Sequence, residues 1–140
     1  MLVAKSSVVT TASAENVWQV WTNVKEWPNW DSDVASCTMQ GEFKQGAKAT
    51  LKPTSGPQVT VEITSCVAHK SFVSTSYLPC WTTLVFDHQI RQVQGDKLKI
   101  THHVELKGCL APLFYCILGR SIQKGLPQAL QNLAGRAEKL

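Results

Sequence analysis

Residues 97–140 read KLKITHHVELKGCLAPLFYCILGRSIQKGLPQALQNLAGRAEKL, and the spacing of their apolar side chains changes near Gly108. Up to Lys107, apolar and polar residues alternate, which is typical of a strand with one buried face. From Pro112 onward, apolar residues recur every three or four positions, which predicts a helix of roughly 25 residues or more, about 40 Å long. The apolar side of this helix is predicted to carry Leu113, Phe114, Ile117, Leu118, Ile122, Leu126, Leu130, Leu133 and Ala137.

The residues before this segment predict a meander of strands that the helix can cover. Twofold alternation dominates from Asp33 to Lys107, with short turns such as Gln94–Asp96 between the predicted strands. Nearer the N-terminus, Leu2–Thr11 predicts a first strand, and two short helices follow it, the second one at a turn around Pro28. The whole pattern predicts one domain over residues 1–140, an α+β fold in which a curved antiparallel sheet wraps around the long C-terminal helix.

Composition excludes several classes of protein. The net charge of +4 comes from basic residues scattered singly along the chain, so no nucleic-acid partner is expected. No apolar run approaches the roughly 18 residues that an integral membrane segment needs. The N-terminus lacks the apolar block of a signal peptide, and the five cysteines include no Cys-x-x-Cys pair. We therefore expect a cytoplasmic protein without disulfides or zinc, in which most thiols are buried.

The alternation in the last two strands makes a specific prediction about two histidines. If Gln94–Asp96 forms the hairpin loop, Ile90 pairs with Ile100, and His88 faces His102 on the side of the sheet that is turned toward the helix. Two facing imidazoles could hold a polar group of a ligand or act as acid and base, so both are candidate catalytic residues. They could equally be neutral core histidines that hydroxyl groups or trapped water satisfy. No third inward ligand is predicted nearby, so no metal is expected.

Other residues are candidates to line a space between sheet and helix. Ser74 and Ser76 are small, polar and inward in phase, although a strand end would show the same pattern. Trp30 follows a turn, where a large ring could cover a ligand or simply close one end of the sheet. The predicted ligand-binding residues are Trp30, Phe72, Ser74, Ser76, Leu84, Phe86, His88, His102, Phe114, Leu118 and Ile122.

The order of elements resembles the helix-grip fold of the START-like (SRPBCC) superfamily. Residues 12–34, ASAENVWQVWTNVKEWPNWDSDV, look like the entry segment of the bacterial polyketide cyclase/dehydrase-like family. Residues 106–140 are similar to its C-terminal helix, with an Ala-Pro-Leu start, a Gly-Arg pair and a Gly-Leu-Pro step. The resemblance implies a seven-stranded sheet around that helix. It leaves function open, since the superfamily includes lipid carriers, quinone chaperones, hormone receptors and aromatic cyclases.

Three functional hypotheses follow from the residues and the resemblance together. The first is binding of a hydrophobic or amphipathic small molecule, such as a lipid, quinone or polyketide-like compound, in a cavity between sheet and helix. The second is a cyclase- or dehydratase-type enzyme in which His88 and His102 move protons. The third is a protein-interaction module without a ligand. No cofactor is expected, and the protein is expected to be a monomer or homodimer.

Overall fold

A computed structural model describes residues 1–140 and has the predicted order of elements. Helix α1 (Ala14–Thr22) starts after the N-cap residue Ser13, whose hydroxyl accepts from the Asn16 backbone N–H at 3.1 Å. The helices are α1 (Ala14–Thr22), a 3₁₀ helix (Val24–Asn29) and α2 (Ala111–Glu138). The strands are β1 (Leu2–Thr10), β2 (Val34–Met39), β3 (Lys48–Pro53), β4 (Val59–Val67), β5 (Ser71–Leu78), β6 (Thr82–Gln92) and β7 (Leu98–Lys107).

The seven strands form one antiparallel sheet in the order β1-β7-β6-β5-β4-β3-β2, so the first strand closes the meander beside the last. The sheet curls around α2, and the predicted α+β helix-grip fold is confirmed. Between β6 and β7 the register pairs Ile90 with Ile100 and His88 with His102, as the hairpin loop predicted. None of the helices combines the length and apolar composition that crossing a membrane requires.

The two halves of α2 are covered to different extents. Leu126, Ala129, Leu130, Leu133, Ala134 and Ala137 in the second half are all buried. In the first half, Phe114, Leu118 and Ile122 are only half-buried. Leu113 and Ile117 are 52% and 62% exposed, so their predicted place on the buried side of the helix is wrong.

The cysteines also depart from expectation. Only Cys37 is buried, whereas Cys80, Cys109 and Cys116 are exposed and Cys66 is intermediate. The expectation that most thiols are buried was wrong because Cys80 and Cys109 lie in turns and Cys116 lies on the exposed side of α2. All five thiols are free, and burial raises the pKa of Cys37 to about 11.

Candidate functional site

The sheet residues predicted to bind a ligand form one continuous patch on the inner face. Strand pairing arranges them in three rows, because residues opposite each other in an antiparallel sheet share a face. The rows are Phe72–His88–His102, Ser74–Phe86–Val104 and Ser76–Leu84–Leu106. Every residue in these rows is buried except Phe86, which is intermediate.

The first row contains the two histidines, which are in contact. Their ring centroids lie 4.5 Å apart with a nearly perpendicular arrangement, and the residues are 5% and 2% exposed. The His88 ring also stacks on Phe72 at a centroid distance of 3.8 Å. His88 Nδ1 lies 3.2 Å from the Phe72 carbonyl oxygen. Because a carbonyl only accepts, Nδ1 carries the proton and donates it, which leaves the neutral ring with a lone pair on Nε2.

Burial without a counter-ion makes this pair neutral at physiological pH. Desolvation lowers the pKa of His88 to about 3, although its hydrogen bonds to backbone groups oppose the shift. Desolvation, with repulsion from His88 as a smaller cause, holds the pKa of His102 well below its usual range. Both imidazoles therefore offer hydrogen-bonding nitrogens to the interior without charge.

Two tryptophans from the N-terminal helices complete this end of the site. Trp21 is fully buried, and its ring lies 5.8 Å from His88 and 6.0 Å from His102 between centroids. Trp30 is 3% exposed and lies 6.1 Å from His102. Three fully buried side-chain atoms lack a hydrogen-bond partner, namely Trp21 Nε1, Trp30 Nε1 and His102 Nε2. Two of these atoms belong to the indole rings beside His102, and the third belongs to His102 itself.

Contacts with neighbouring elements fix the position of the two indoles. The Trp27 indole N–H donates to the Trp21 carbonyl at 2.9 Å, which ties the 3₁₀ helix to the end of α1. The Asn132 side chain on α2 donates to the Trp30 carbonyl at 3.4 Å. Beyond Trp30, the Asp31 carboxylate accepts from the Asp33 backbone N–H at 3.0 Å. Burial raises the pKa of Asp31 to about 6.

The other two rows face the first half of α2. Phe86, Phe114, Leu118 and Ile122 pack together against a cluster of buried residues that includes Leu84, Val104 and Leu106. Half-buried apolar side chains thus lie between helix and sheet at this end, next to small serine side chains of β5. We call this region the apolar groove, defined by Ser74, Ser76, Leu84, Phe86, Phe114, Leu118 and Ile122.

The turn between β5 and β6 lies at the outer end of the apolar groove. Gly108, just before α2, is so close to this turn that an added Cβ would lie 2.2 Å from the Trp81 carbonyl oxygen. The Leu110 backbone N–H donates to the Thr82 hydroxyl at 3.0 Å. Trp81 in this turn is 92% exposed, and Tyr77 at the end of β5 is 47% exposed.

The structure places all eleven predicted ligand-binding residues on the inner side, in two adjoining groups. Trp30, His102, His88 and Phe72 form a chain of ring contacts, and the remaining seven form the apolar groove. Their role as ligand contacts stays a prediction. Trp21 lies beside the histidines but is not among the predicted residues, because its helical spacing is that of any buried residue.

No cluster of metal ligands lies at this site, and two surface depressions lie away from it, on the outer face of the sheet. The depressions, of about 220 and 340 Å³, are lined mostly by exposed or half-exposed polar residues, and the buried Ala49 is the one apolar member. No group of three or more His, Cys, Asp or Glu side chains is arranged to hold a metal ion.

Comparison with known proteins gives a family and a fold. A family model described as polyketide cyclase / dehydrase and lipid transport matches residues 1–138. No curated protein sequence matches the chain significantly.

Solved structures agree with the fold at low sequence identity. A START superfamily protein from Mycobacterium smegmatis is 16% identical with a TM-score of 0.68, and the alignment covers 99% of both chains. A hypothetical protein from Helicobacter pylori is 11% identical with a TM-score of 0.79, over 95% of this chain and 86% of that one. The di-domain ARO/CYC StfQ from the steffimycin biosynthetic pathway is 12% identical with a TM-score of 0.74, over 99% of this chain and 51% of that one. At these identities the likeness shows the fold alone.

Proposed function

Since this chain belongs to the polyketide cyclase / dehydrase and lipid transport family, we propose that it binds a hydrophobic or amphipathic small molecule between the sheet and the first half of α2. The observation that carries the proposal is the unequal covering of α2. In the first half of the helix Phe114, Leu118 and Ile122 are only half-buried, whereas the inward residues of the second half are buried. Burial of apolar surface contributes about 25 cal/mol per Å², so a ligand that covers these side chains gains affinity from them.

The chemistry of the apolar groove supports an apolar ligand with few polar groups. Leu84, Phe86 and the three helix residues provide aliphatic and aromatic surface. Ser74 and Ser76 add hydroxyl groups on β5 and occupy little volume. A mainly apolar lining with a few polar groups is the usual composition of small-molecule sites.

Binding without chemical transformation is favoured over acid–base catalysis. Proton transfer is most efficient when the pKa of the catalytic group lies near the working pH. Desolvation lowers the pKa of His88 to about 3, so its imidazole is a weak base. At neutral pH the ring is uncharged and has no imidazolium proton to donate. The enzyme hypothesis therefore requires that a substrate raise the proton affinity of this pair, whereas binding requires only neutral rings.

The proposal is tested with the neutral fluorescent dye N-phenyl-1-naphthylamine and a matched pair of variants. Leu118→Trp adds a large side chain inside the apolar groove, while Leu113→Trp makes the same change on the exposed side of the same helix. We expect wild type and Leu113→Trp to bind the dye with equal affinity and Leu118→Trp to bind it at least tenfold more weakly. Native mass spectrometry of protein purified from cells should show a retained small molecule in the same two proteins.

Two results would overturn the proposal. Absence of dye binding and of any retained molecule in the wild-type protein would favour the interaction-module hypothesis. Equal dye binding by all three proteins would place the apolar site elsewhere on the molecule.

A further inference from the structure

Three buried nitrogen atoms without a partner occur together in the interior. Trp21 Nε1, Trp30 Nε1 and His102 Nε2 are the fully buried side-chain atoms that no group in the protein satisfies. The Trp21 and Trp30 rings lie 6.0 and 6.1 Å from the His102 ring between centroids. Buried polar groups are nearly always hydrogen-bonded, so three orphans around one residue indicate a position for a further polar atom.

The types of these nitrogens define what that atom can be. An indole N–H only donates, and a neutral imidazole nitrogen either accepts or donates. A hydroxyl oxygen has two lone pairs and one hydrogen, so it can accept from both indoles and donate to His102. Both indole rings adjoin His102, so a single oxygen beside its Nε2 is the smallest group that would satisfy all three nitrogens.

We propose that Trp21, Trp30 and His102 form a polar subsite that takes one hydroxyl group, phenolic or alcoholic, of the ligand. The inference rests on the proposed function and adds the chemical class of the ligand's polar end. His102 adjoins His88, whose ring lies 6.2 Å from that of Phe86 in the apolar groove. A ligand whose apolar body lies over Phe86 would direct its hydroxyl end toward the histidines.

The same surroundings disfavour a charged group. The buried polar residues of the protein are threonines, serines and the two histidines, and no lysine or arginine is buried among them. A carboxylate or phosphate without a counter-ion in such an interior would be strongly destabilised by desolvation. The subsite therefore selects a neutral oxygen.

Pairs of probes that differ in one group test the subsite. Binding of 2-naphthol, naphthalene and 2-naphthoate is measured by calorimetry for the full chain, and the indole ¹⁵N–H signals are followed by NMR. We expect 2-naphthol to bind about tenfold more tightly than naphthalene, the effect of one or two net hydrogen bonds, and 2-naphthoate to bind most weakly. The Trp21 and Trp30 indole signals should shift with 2-naphthol. The Trp27 indole signal should move least, because its N–H already donates to the Trp21 carbonyl.

Variants on neighbouring positions of β7 provide the control. His102→Phe keeps an aromatic ring but removes the nitrogens, so the preference for 2-naphthol over naphthalene should disappear. His103→Phe makes the same change on the outer face of the strand and should keep the full preference. If His102→Phe does not fold, Trp30→Phe removes one N–H donor and should reduce the preference severalfold.

The possible failures are distinguishable. Equal binding of 2-naphthol and naphthalene by the wild-type protein would overturn the subsite and leave the proposed function standing. A preference that survives in His102→Phe, or indole protons that contact a trapped water while 2-naphthol is bound, would also overturn it. Absence of binding by any of the probes would count against the proposed function as well.

Discussion

His88 and His102 couple the stability of the protein to pH, because the folded chain keeps both of them neutral. Desolvation lowers the pKa of His88 from 6.5 to about 3 and holds that of His102 well below 6.5. Below pH 6.5 the unfolded chain therefore binds protons that the folded chain does not bind. The stabilisation from the neutral rings is fully present above pH 6.5 and decreases as the pH falls. His88 accounts for a loss of about 1.4 kcal/mol per pH unit down to pH 3, and His102 adds a loss of the same sign.

Asp31 changes the free energy of unfolding in the opposite direction over part of the same pH range. Burial raises its pKa from 3.8 to about 6, so between these values the folded chain holds a proton that the unfolded chain has lost. This contribution is complete below pH 3.8 and is lost as the pH rises through 6. In the wild-type protein this contribution of Asp31 offsets the loss of stability that one of the two histidines causes on acidification.

We predict that Asp31→Asn steepens the pH dependence of stability. Between pH 4.5 and 6 the loss of stability on acidification should be steeper in Asp31→Asn than in the wild-type protein, by up to about 1.4 kcal/mol per pH unit. The asparagine oxygen can still accept from the Asp33 backbone N–H, so the local turn is kept. Urea denaturation at a series of pH values measures the slope. An unchanged slope would mean that the Asp31 carboxyl is not buried in solution.

At the scale of elements, the junction between β7 and α2 depends on a glycine. Gly108 has φ +111°, and an added Cβ would lie 2.2 Å from the Trp81 carbonyl oxygen and 2.8 Å from Thr82 Cα. Both contacts are with backbone, which cannot move aside as a flexible side chain can. The start of α2 is thus fixed against the turn between β5 and β6 by close backbone packing.

We predict opposite effects for the same substitution at two glycines. Gly108→Ala should destabilise the protein by about 3 kcal/mol or more through backbone strain and overlap. Gly135→Ala, inside α2 with no atom near its added Cβ, should stabilise it by about 0.5–1 kcal/mol through helix propensity. Denaturant midpoints measure both. A Gly108→Ala variant as stable as wild type would show that this turn is not held against α2.

The two halves of α2 should also differ in local stability. Pro127 lacks an N–H for the Gln123 carbonyl, so the backbone ladder is interrupted between the half-covered and the sealed parts of the helix. We predict that amides of residues 113–122 exchange with deuterium faster than those of residues 129–137. N-phenyl-1-naphthylamine should slow exchange in the first range only. Uniform protection along the helix would contradict this assignment of the apolar groove.

Sequence pattern predicted these elements well where a local rule decided the outcome. The register that joins His88 to His102 follows from a three-residue loop and strict alternation, since a slip of one residue would turn every side chain over. The burial of α2 was harder to predict. Leu113 and Ile117 repeat at helical spacing but point about 100° away from Phe114 and Leu118, and only the second pair meets the sheet. The position of Trp21 against the histidines depends on contacts between distant parts of the chain, which no local pattern records.

Across the whole molecule, the core is divided into a sealed part and a partly open part. The larger apolar cluster holds three tryptophans, Phe72 and residues of the second half of α2, and Trp18 packs against it. The smaller one joins β1, β6 and β7 to the first half of α2. A ligand in the apolar groove would contact the sheet and α2 together, so its binding free energy should add to the stability of the folded chain as a unit.

We therefore predict that a ligand of the apolar groove raises the melting temperature by an amount that grows with the logarithm of its free concentration once this exceeds the dissociation constant. At a free concentration 100 times its dissociation constant, a ligand that binds only the folded state adds about 2.7 kcal/mol. For a chain of this size that corresponds to roughly 10 °C. Calorimetry with N-phenyl-1-naphthylamine should show this shift for the wild-type protein and for Leu113→Trp. It should be much smaller for Leu118→Trp at the same dye concentration. Equal shifts in the two tryptophan variants would mean that the dye stabilises the protein from its outer surface, because only Leu118 lies between helix and sheet.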